Sequence, residues 1–127
     1  MCLLDTALIW WTLAPAELST DAQHACRELD HHTGYLSSIS IWEIGLKVKK
    51  GHLELPTSID EYVQRVESIP TLEILPVDVR TWVGNVALDW DHRDPADRTI
   101  VATAKILDIP IITSDKRIRE FYPKVIW

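Results

Sequence analysis

The sequence predicts an α/β fold built on a mainly parallel sheet. Three observations carry that expectation. Short apolar runs alternate with segments of helical apolar spacing along the 127 residues. The helices between runs supply the crossovers that parallel neighbours need. Acids, Asp5 and Asp115 among them, stand just past the ends of apolar runs, and open sheets of this kind form their sites beyond the carboxyl ends of the strands. One domain covering residues 1–127 suits this length.

Cys2-Leu3-Leu4 reads as the first strand, closed by Asp5. Ala7 to Leu13 forms a brief helix that Pro15 stops. Ser19 or Thr20 caps a second helix, on which Ala22, Ala25, Cys26 and Leu29 make an i, i+3, i+4, i+7 stripe. Gly34 ends that helix, and Tyr35-Leu36-Ser37 is a short strand. Ser40 opens the next helix, which carries Ile41, Ile44 and Val48 and ends near Gly51. Ser58 and Glu61 fit a capping box for a helix with Ile59, Tyr62, Val63 and Val66 inward. Leu72 to Val77 is a strand, with Pro76 suited to its end. Asp78 caps a helix where Val79, Trp82, Val83, Val86, Ala87 and Trp90 follow helical spacing, weakened at Gly84, with Trp82 and Trp90 reading as core. Asp94-Pro95 is an N-cap and first helical residue. The helix it opens runs to about Leu107, with Ile100, Ala104 and Leu107 inward. Ile109 to Thr113 is a strand, and Lys124-Val125-Ile126 a last, short one.

Composition excludes several classes. With 46% hydrophobic and 25% charged residues the chain is an ordinary globular protein, not a disordered one. Thirteen basic against nineteen acidic side chains give a net charge of −6. That balance excludes a grip on nucleic acid by bulk positive charge, while leaving local contacts open. Cys2 and Cys26 are too few for a disulfide scaffold and lack zinc-ligand spacing, and Cys26 reads as core packing. The longest apolar stretch, Ala7 to Ala14, contains Thr12 and falls short of the roughly 20 residues a membrane span needs. No basic leader precedes Asp5, so no signal peptide is expected and the expected compartment is the cytoplasm.

Four acids fall where such a sheet would place a site. Asp5 follows the first strand, Glu43 lies in the first turn of the helix after the Tyr35 strand, Asp97 lies in the first turn of the Asp94-Pro95 helix, and Asp115 follows Thr113-Ser114. In one crevice they could not all stay ionised and alone. Two carboxylates at about 4 Å repel by about 4 kcal/mol at an effective dielectric of 20. Either a proton or a cation must enter. Oxygen ligands without Cys or His companions suit Mg²⁺ or Mn²⁺, which can activate water and offset charge on a phosphate. Structural roles compete with that reading. Glu43 fits a capping box with Ser40, Asp97 suits the helix dipole, and Asp115 could begin a short helix. Asp5, cutting off an apolar strand, is the hardest to explain by structure alone.

Several segments taken together resemble a known family. They are Leu3-Leu4-Asp5-Thr6-Ala7-Leu8, Ser38-Ile39-Ser40-Ile41-Trp42-Glu43-Ile44, Lys50-Gly51-His52-Leu53-Glu54-Leu55-Pro56, His92-Arg93-Asp94-Pro95-Ala96-Asp97-Arg98 running into Ile100-Val101-Ala102-Thr103-Ala104, and Thr113-Ser114-Asp115. In this order and in a chain of this length, they resemble PIN-domain ribonucleases, in particular VapC-type toxins of bacterial toxin–antitoxin pairs. The resemblance implies a three-layer α/β/α fold with a five-stranded sheet. It implies an acidic metal site of Asp5, Glu43, Asp97 and Asp115, with one or two Mg²⁺ or Mn²⁺ ions supporting hydrolysis of an RNA phosphodiester. Asp5 and Asp97 would be the main ligands. Thr6 and Thr113 fall where the family often has a hydroxyl beside the acids. A homodimer and an inhibitory antitoxin partner are implied as well.

The remaining polar residues divide between site and scaffold. Asp94 reads first as the N-cap, with a minor role at the rim. Arg98 could orient Asp97. Lys47, Lys49, Lys50 and His52, and Lys116 with its neighbouring arginines, would hold RNA phosphates or simply be solvated. His92 reads as a turn residue ahead of a proton-transfer role. Trp10, Trp11 and Trp42 lie close in sequence to the acids, and core packing competes there with base stacking or partner binding. Two other readings of the whole remain: a non-catalytic acidic module that binds a protein partner, and phosphoryl transfer on Asp5. The latter lacks a second Asp at position 7, which is Ala7, and the Lys that a receiver domain wants near its last strand. No P-loop or Gly-rich dinucleotide turn is present.

Overall fold

The computed structural model describes residues 1–127. Five strands, β1 (Cys2–Leu4), β2 (Gly34–Ser37), β3 (Leu72–Leu75), β4 (Ile111–Ile112) and β5 (Val125–Ile126), form one sheet in the order β3-β2-β1-β4-β5. Every neighbouring pair is parallel. The helices are α1 (Ala7–Leu13), α2 (Thr20–Glu28), α3 (Ser38–Lys49), α4 (Ile59–Glu67), α5 (Val79–Ala87), α6 (Pro95–Leu107) and α7 (Lys116–Phe121), with a 3₁₀ turn at Pro15–Glu17.

Alternate strand residues feed opposite cores, as the two-residue period of a strand requires. Cys2, Leu4, Leu36, Leu72 and Ile112 pack with Leu8, Cys26, Leu29, Ile44, Tyr62 and Val66 from α1 to α4. Leu3 and Ile111 pack on the other side with Ile100, Val101, Ile118 and Tyr122, from α6 and the α7 region. Burial on both faces explains why these strands read as unbroken apolar runs rather than alternating ones. The layers are therefore α/β/α, with five strands in the middle.

Serines and aspartates set the helix starts as the capping rules require. Ser19 Oγ accepts from the Ala22 amide at 3.1 Å, Ser58 Oγ from Glu61 at 3.2 Å, and Asp78 Oδ1 from Thr81 at 2.9 Å. α6 begins at Pro95 and ends at Leu107, as its Asp94-Pro95 signal predicts.

The structure corrects the sequence in five places. The cap of α3 is Ser37, not Ser40, so Glu43 lies in the second turn and no Ser40–Glu43 capping box forms. Ser40 is instead fully buried. Gly34 does not end α2 but begins β2, where a Cβ would sit 2.7 Å from Leu29 Cδ2. The strands are shorter than their apolar runs: β3 stops before Pro76, β4 spans only Ile111–Ile112, and Lys124 precedes β5. Leu107 is exposed rather than inward.

The fifth correction concerns α5, which is turned round. Val79, Val83 and Val86 are 78%, 64% and 81% exposed, Trp82 is also exposed, and the buried residues are Thr81 and Asn85. The helix meets α6 through a polar seam, in which Asn85 Nδ2 donates to Thr99 Oγ1 at 3.0 Å. Trp90 lies beyond the end of α5, half-buried and stacked on Phe121 at 4.5 Å. No helix is long and apolar enough to cross a membrane.

Candidate metal centre

The chain leaves the central strand β1 towards β2 and β3 on one side, and returns through β4 and β5 on the other. The carboxyl ends of β1 and β4 therefore flank a topological switch point, where open parallel sheets leave a crevice. Asp5 follows β1 and Thr113 follows β4. Thr113 Oγ1 donates a hydrogen bond to Asp5 Oδ2 across that point. The Ala7 amide donates to Asp5 Oδ1 at 2.7 Å, and the Asp115 amide donates to Thr113 Oγ1 at 3.0 Å. Asp5 is 6% exposed and Thr113 is fully buried.

The facing wall comes from α3 and the start of α6, which pack together. Glu43, Asp94 and Asp97 each bring a carboxylate oxygen within 4.8 Å of the others. Asp94 does so while capping α6: its Oδ1 accepts from the Asp97 amide at 2.9 Å. It is thus both cap and cluster member, a larger place than the rim position the sequence suggests. Asp115 likewise caps α7, its Oδ1 accepting from the Ile118 amide at 3.0 Å.

The charges of these acids act on one another. Burial pushes Asp5 up to about 6, against the Thr113 and Ala7 hydrogen bonds, and the charges of Asp97 and Asp115 add to the rise. Burial pushes Glu43 up to about 7; Lys47 opposes this, while Asp97, Asp94 and Asp5 reinforce it. Asp97 is also raised, by burial first, with the His92 bond opposing and the charges of Asp115 and Asp94 adding. Five carboxylates thus share one field. Desolvated acids crowded together favour whichever cation, proton or metal, reaches them. A donor set of carboxylate oxygens, without thiolate or imidazole at the cluster's ligand positions, fits a hard divalent cation.

The supporting residues are placed as follows. Thr6 is half-buried at the start of α1, its side chain capping nothing. Lys47 is exposed one turn beyond Glu43 on α3, and Lys50 is exposed just past its end. Lys116 is exposed beside Asp115 and lies 3.9 Å from Glu120. Arg98 does not touch Asp97. Its guanidinium donates to the carbonyls of Asn85 (2.7 Å), Leu88 (3.1 Å), Trp90 (2.6 Å) and His92 (3.0 Å). It therefore clamps the loop between α5 and α6 instead.

His92 is the residue that the sequence undervalues. Its Nε2 lies 2.6 Å from Asp97 Oδ2, with both side chains largely buried. The signal was its place five residues before Asp97, at the mouth of the Asp94-Pro95 cap.

Comparisons with known proteins agree with this geometry. Residues 2–123 match the PIN domain family. The chain is 30% identical over 131 aligned positions to Ribonuclease VapC22 of Mycobacterium tuberculosis, covering 98% of this chain and 97% of that protein. Among solved structures it is similar to a toxin–antitoxin complex from Klebsiella pneumoniae, with a TM-score of 0.65 at 21% identity over 100% of this chain and 97% of that one. It is also similar to FitAcB from Neisseria gonorrhoeae, with a TM-score of 0.63 at 26% identity over 93% and 90% of the two chains. An all-parallel sheet with acids gathered at its switch point, and a family match over nearly the whole length, lead to one conclusion: this chain belongs to the PIN domain family.

Proposed function

We propose that this chain is a divalent-metal-dependent endoribonuclease, the toxin of a toxin–antitoxin pair, working with Mg²⁺ or Mn²⁺ in the cytoplasm. The observation that carries this reading is the gathering of Glu43, Asp94 and Asp97 within 4.8 Å, beside Asp5 and Asp115. The match to a ribonuclease over 98% of the chain supports the substrate class.

The side chains divide the work. Glu43, Asp94 and Asp97 hold the cation from the α3–α6 wall, and Asp5 and Asp115 face them from the strand ends. Thr113 fixes Asp5 through its hydroxyl, and Thr6 lies at the lip beside it. A bound hard cation makes its water more acidic and offsets charge on the leaving oxygen. Lys47, exposed one turn beyond Glu43, and Lys116, exposed beside Asp115, with Lys50 past the end of α3, hold RNA phosphates and offset the chain's net negative charge.

Two protein partners accompany this activity: a cognate antitoxin and a second copy of the chain. The exposed valines of α5 support self-association, because three such side chains on one helix face are costly to leave in water.

RNA cleavage by the purified chain, abolished by EDTA and restored by Mn²⁺, tests the reading. Asp97→Asn is expected to lower cleavage at least ~100-fold while the far-ultraviolet circular dichroism is unchanged. Full metal-dependent activity in that variant would overturn the site. An absence of both Mn²⁺ binding and cleavage in the native chain would favour a non-catalytic acidic module instead.

A further inference from the structure

The loop between α5 and α6 is held at many points, with Leu88 buried in the core and Trp90 packed against it. Arg98 reaches back from the first turn of α6 and donates to four backbone carbonyls, those of Asn85, Leu88, Trp90 and His92, and to Asn85 Oδ1 at 3.3 Å. Trp90 is pinned by stacking on Phe121 from α7 at 4.5 Å and 8°. The His92 ring in turn lies against Trp90, with centroids 4.8 Å apart and a 57° tilt. Both the main chain and the ring of His92 are therefore fixed from outside the acid cluster. The ring aims Nε2 at a single atom, Asp97 Oδ2, at 2.6 Å.

The other acids are treated similarly. Asp94 and Asp115 each give Oδ1 to a helix amide, leaving Oδ2. Asp97 cannot cap its own helix, because Asp94 already does so. Its second oxygen is taken by an imidazole.

We propose, building on the metal-dependent reading above, that His92 is a positioning residue: its Nε2–H holds Asp97 Oδ2 and leaves Oδ1 as the one oxygen that Asp97 offers a cation. The loop clamp by Arg98 and the Trp90–Phe121 stack exist to hold that imidazole in place. Groups that orient a ligand from behind change metal affinity about 10–100-fold when removed. His92 makes no contact with the reacting atoms in this arrangement, so its effect reaches chemistry only through Asp97.

The test uses the full chain and titrates Mn²⁺ by calorimetry at fixed pH, with circular dichroism as the check on folding. His92→Ala is expected to weaken Mn²⁺ binding about tenfold or more. His92→Gln, whose Nε2 can reach the same oxygen, is expected to recover most of the loss. In the metal-free native chain, long-range ¹⁵N–¹H correlation is expected to show the His92 proton on Nε2. Equal Mn²⁺ affinity in the native and Ala chains would overturn the proposal, as would equal losses in Ala and Gln, or a neutral ring protonated at Nδ1 alone. Each of these can occur while the native chain still binds Mn²⁺ and cleaves RNA. Failure of the function itself would show in the native chain, as neither binding nor cleavage.

Discussion

At the scale of single residues, the acids determine how stability responds to pH. Asp5 ionises at about 6 in the fold against an ordinary 3.8, and Glu43 at about 7 against 4.5. Between those limits the folded chain binds more protons than the unfolded chain, so stability falls as pH rises. The contribution is complete below the ordinary values and is lost as pH climbs through 6 and 7. Without metal, the melting temperature is expected to drop from about pH 5 to about pH 8. Asp5→Asn keeps an acceptor for the Ala7 amide and removes the buried charge, so it is expected to flatten that slope and raise the melting temperature at the alkaline end. Millimolar Mn²⁺ is expected to raise it at about pH 8 far more than at about pH 5, where protons compete for the same oxygens. Scanning calorimetry on native and Asp5→Asn chains checks all three, and parallel slopes would contradict the burial of Asp5 as their cause.

At the scale of elements, what the sequence disclosed depended on whether a local signal had a rival. The start of α6 was legible because Asp94-Pro95 is a cap found nowhere else in its vicinity. The cap of α3 was misread by three residues because Ser37 and Ser40 both suit an N-cap, and Ser40 has a glutamate three positions on. The true cap is the last residue of β2, and tertiary placement decided between the two. Gly34 was misread because its role depends on Leu29, a contact that spacing does not reveal. Gly34→Ala forces a Cβ to within 2.7 Å of the Leu29 methyl, so a loss of about 1–3 kcal/mol in urea unfolding is expected. The Arg98 clamp gave no pattern at all, since its partners are backbone carbonyls. Arg98→Met leaves those carbonyls without their donor and is expected to cost at least about 2 kcal/mol. A larger rise in exchange at the Leu88 amide, which donates to the Asn85 carbonyl at 3.3 Å, than at the amides of α6 would show that the loss is local to the loop.

At the scale of the whole molecule, the site and the α5 surface are two consequences of one topology. The acid cluster was legible only in part: Glu43 and Asp97 stood among the four acids singled out, while Asp94, read first as a cap, joins them because α3 packs against the start of α6. The orientation of α5 was not legible, because helical period identifies a helix without saying what covers each face. The inward face of α5 is polar: Thr81 bonds to Asp78, and Asn85 to Thr99 and Arg98. That seam is fully used within the chain, and so the valines must face outward. If a second copy covers them, the dimer is held by a face whose opposite side grips the Arg98 loop, and self-association should steady the loop that presents His92. Val83→Lys with Val86→Lys adds charge to side chains that are mostly exposed in the monomer. Under the proposed self-association, the double variant is expected to keep its fold and to sediment as a monomer where the native chain is expected to sediment as a dimer. It is also expected to exchange the Leu88 amide, which donates to the Asn85 carbonyl at 3.3 Å, faster than the native chain. A variant that still sediments as a dimer would move the self-association surface elsewhere on the molecule. A monomer with unchanged exchange in that loop would separate assembly from the site.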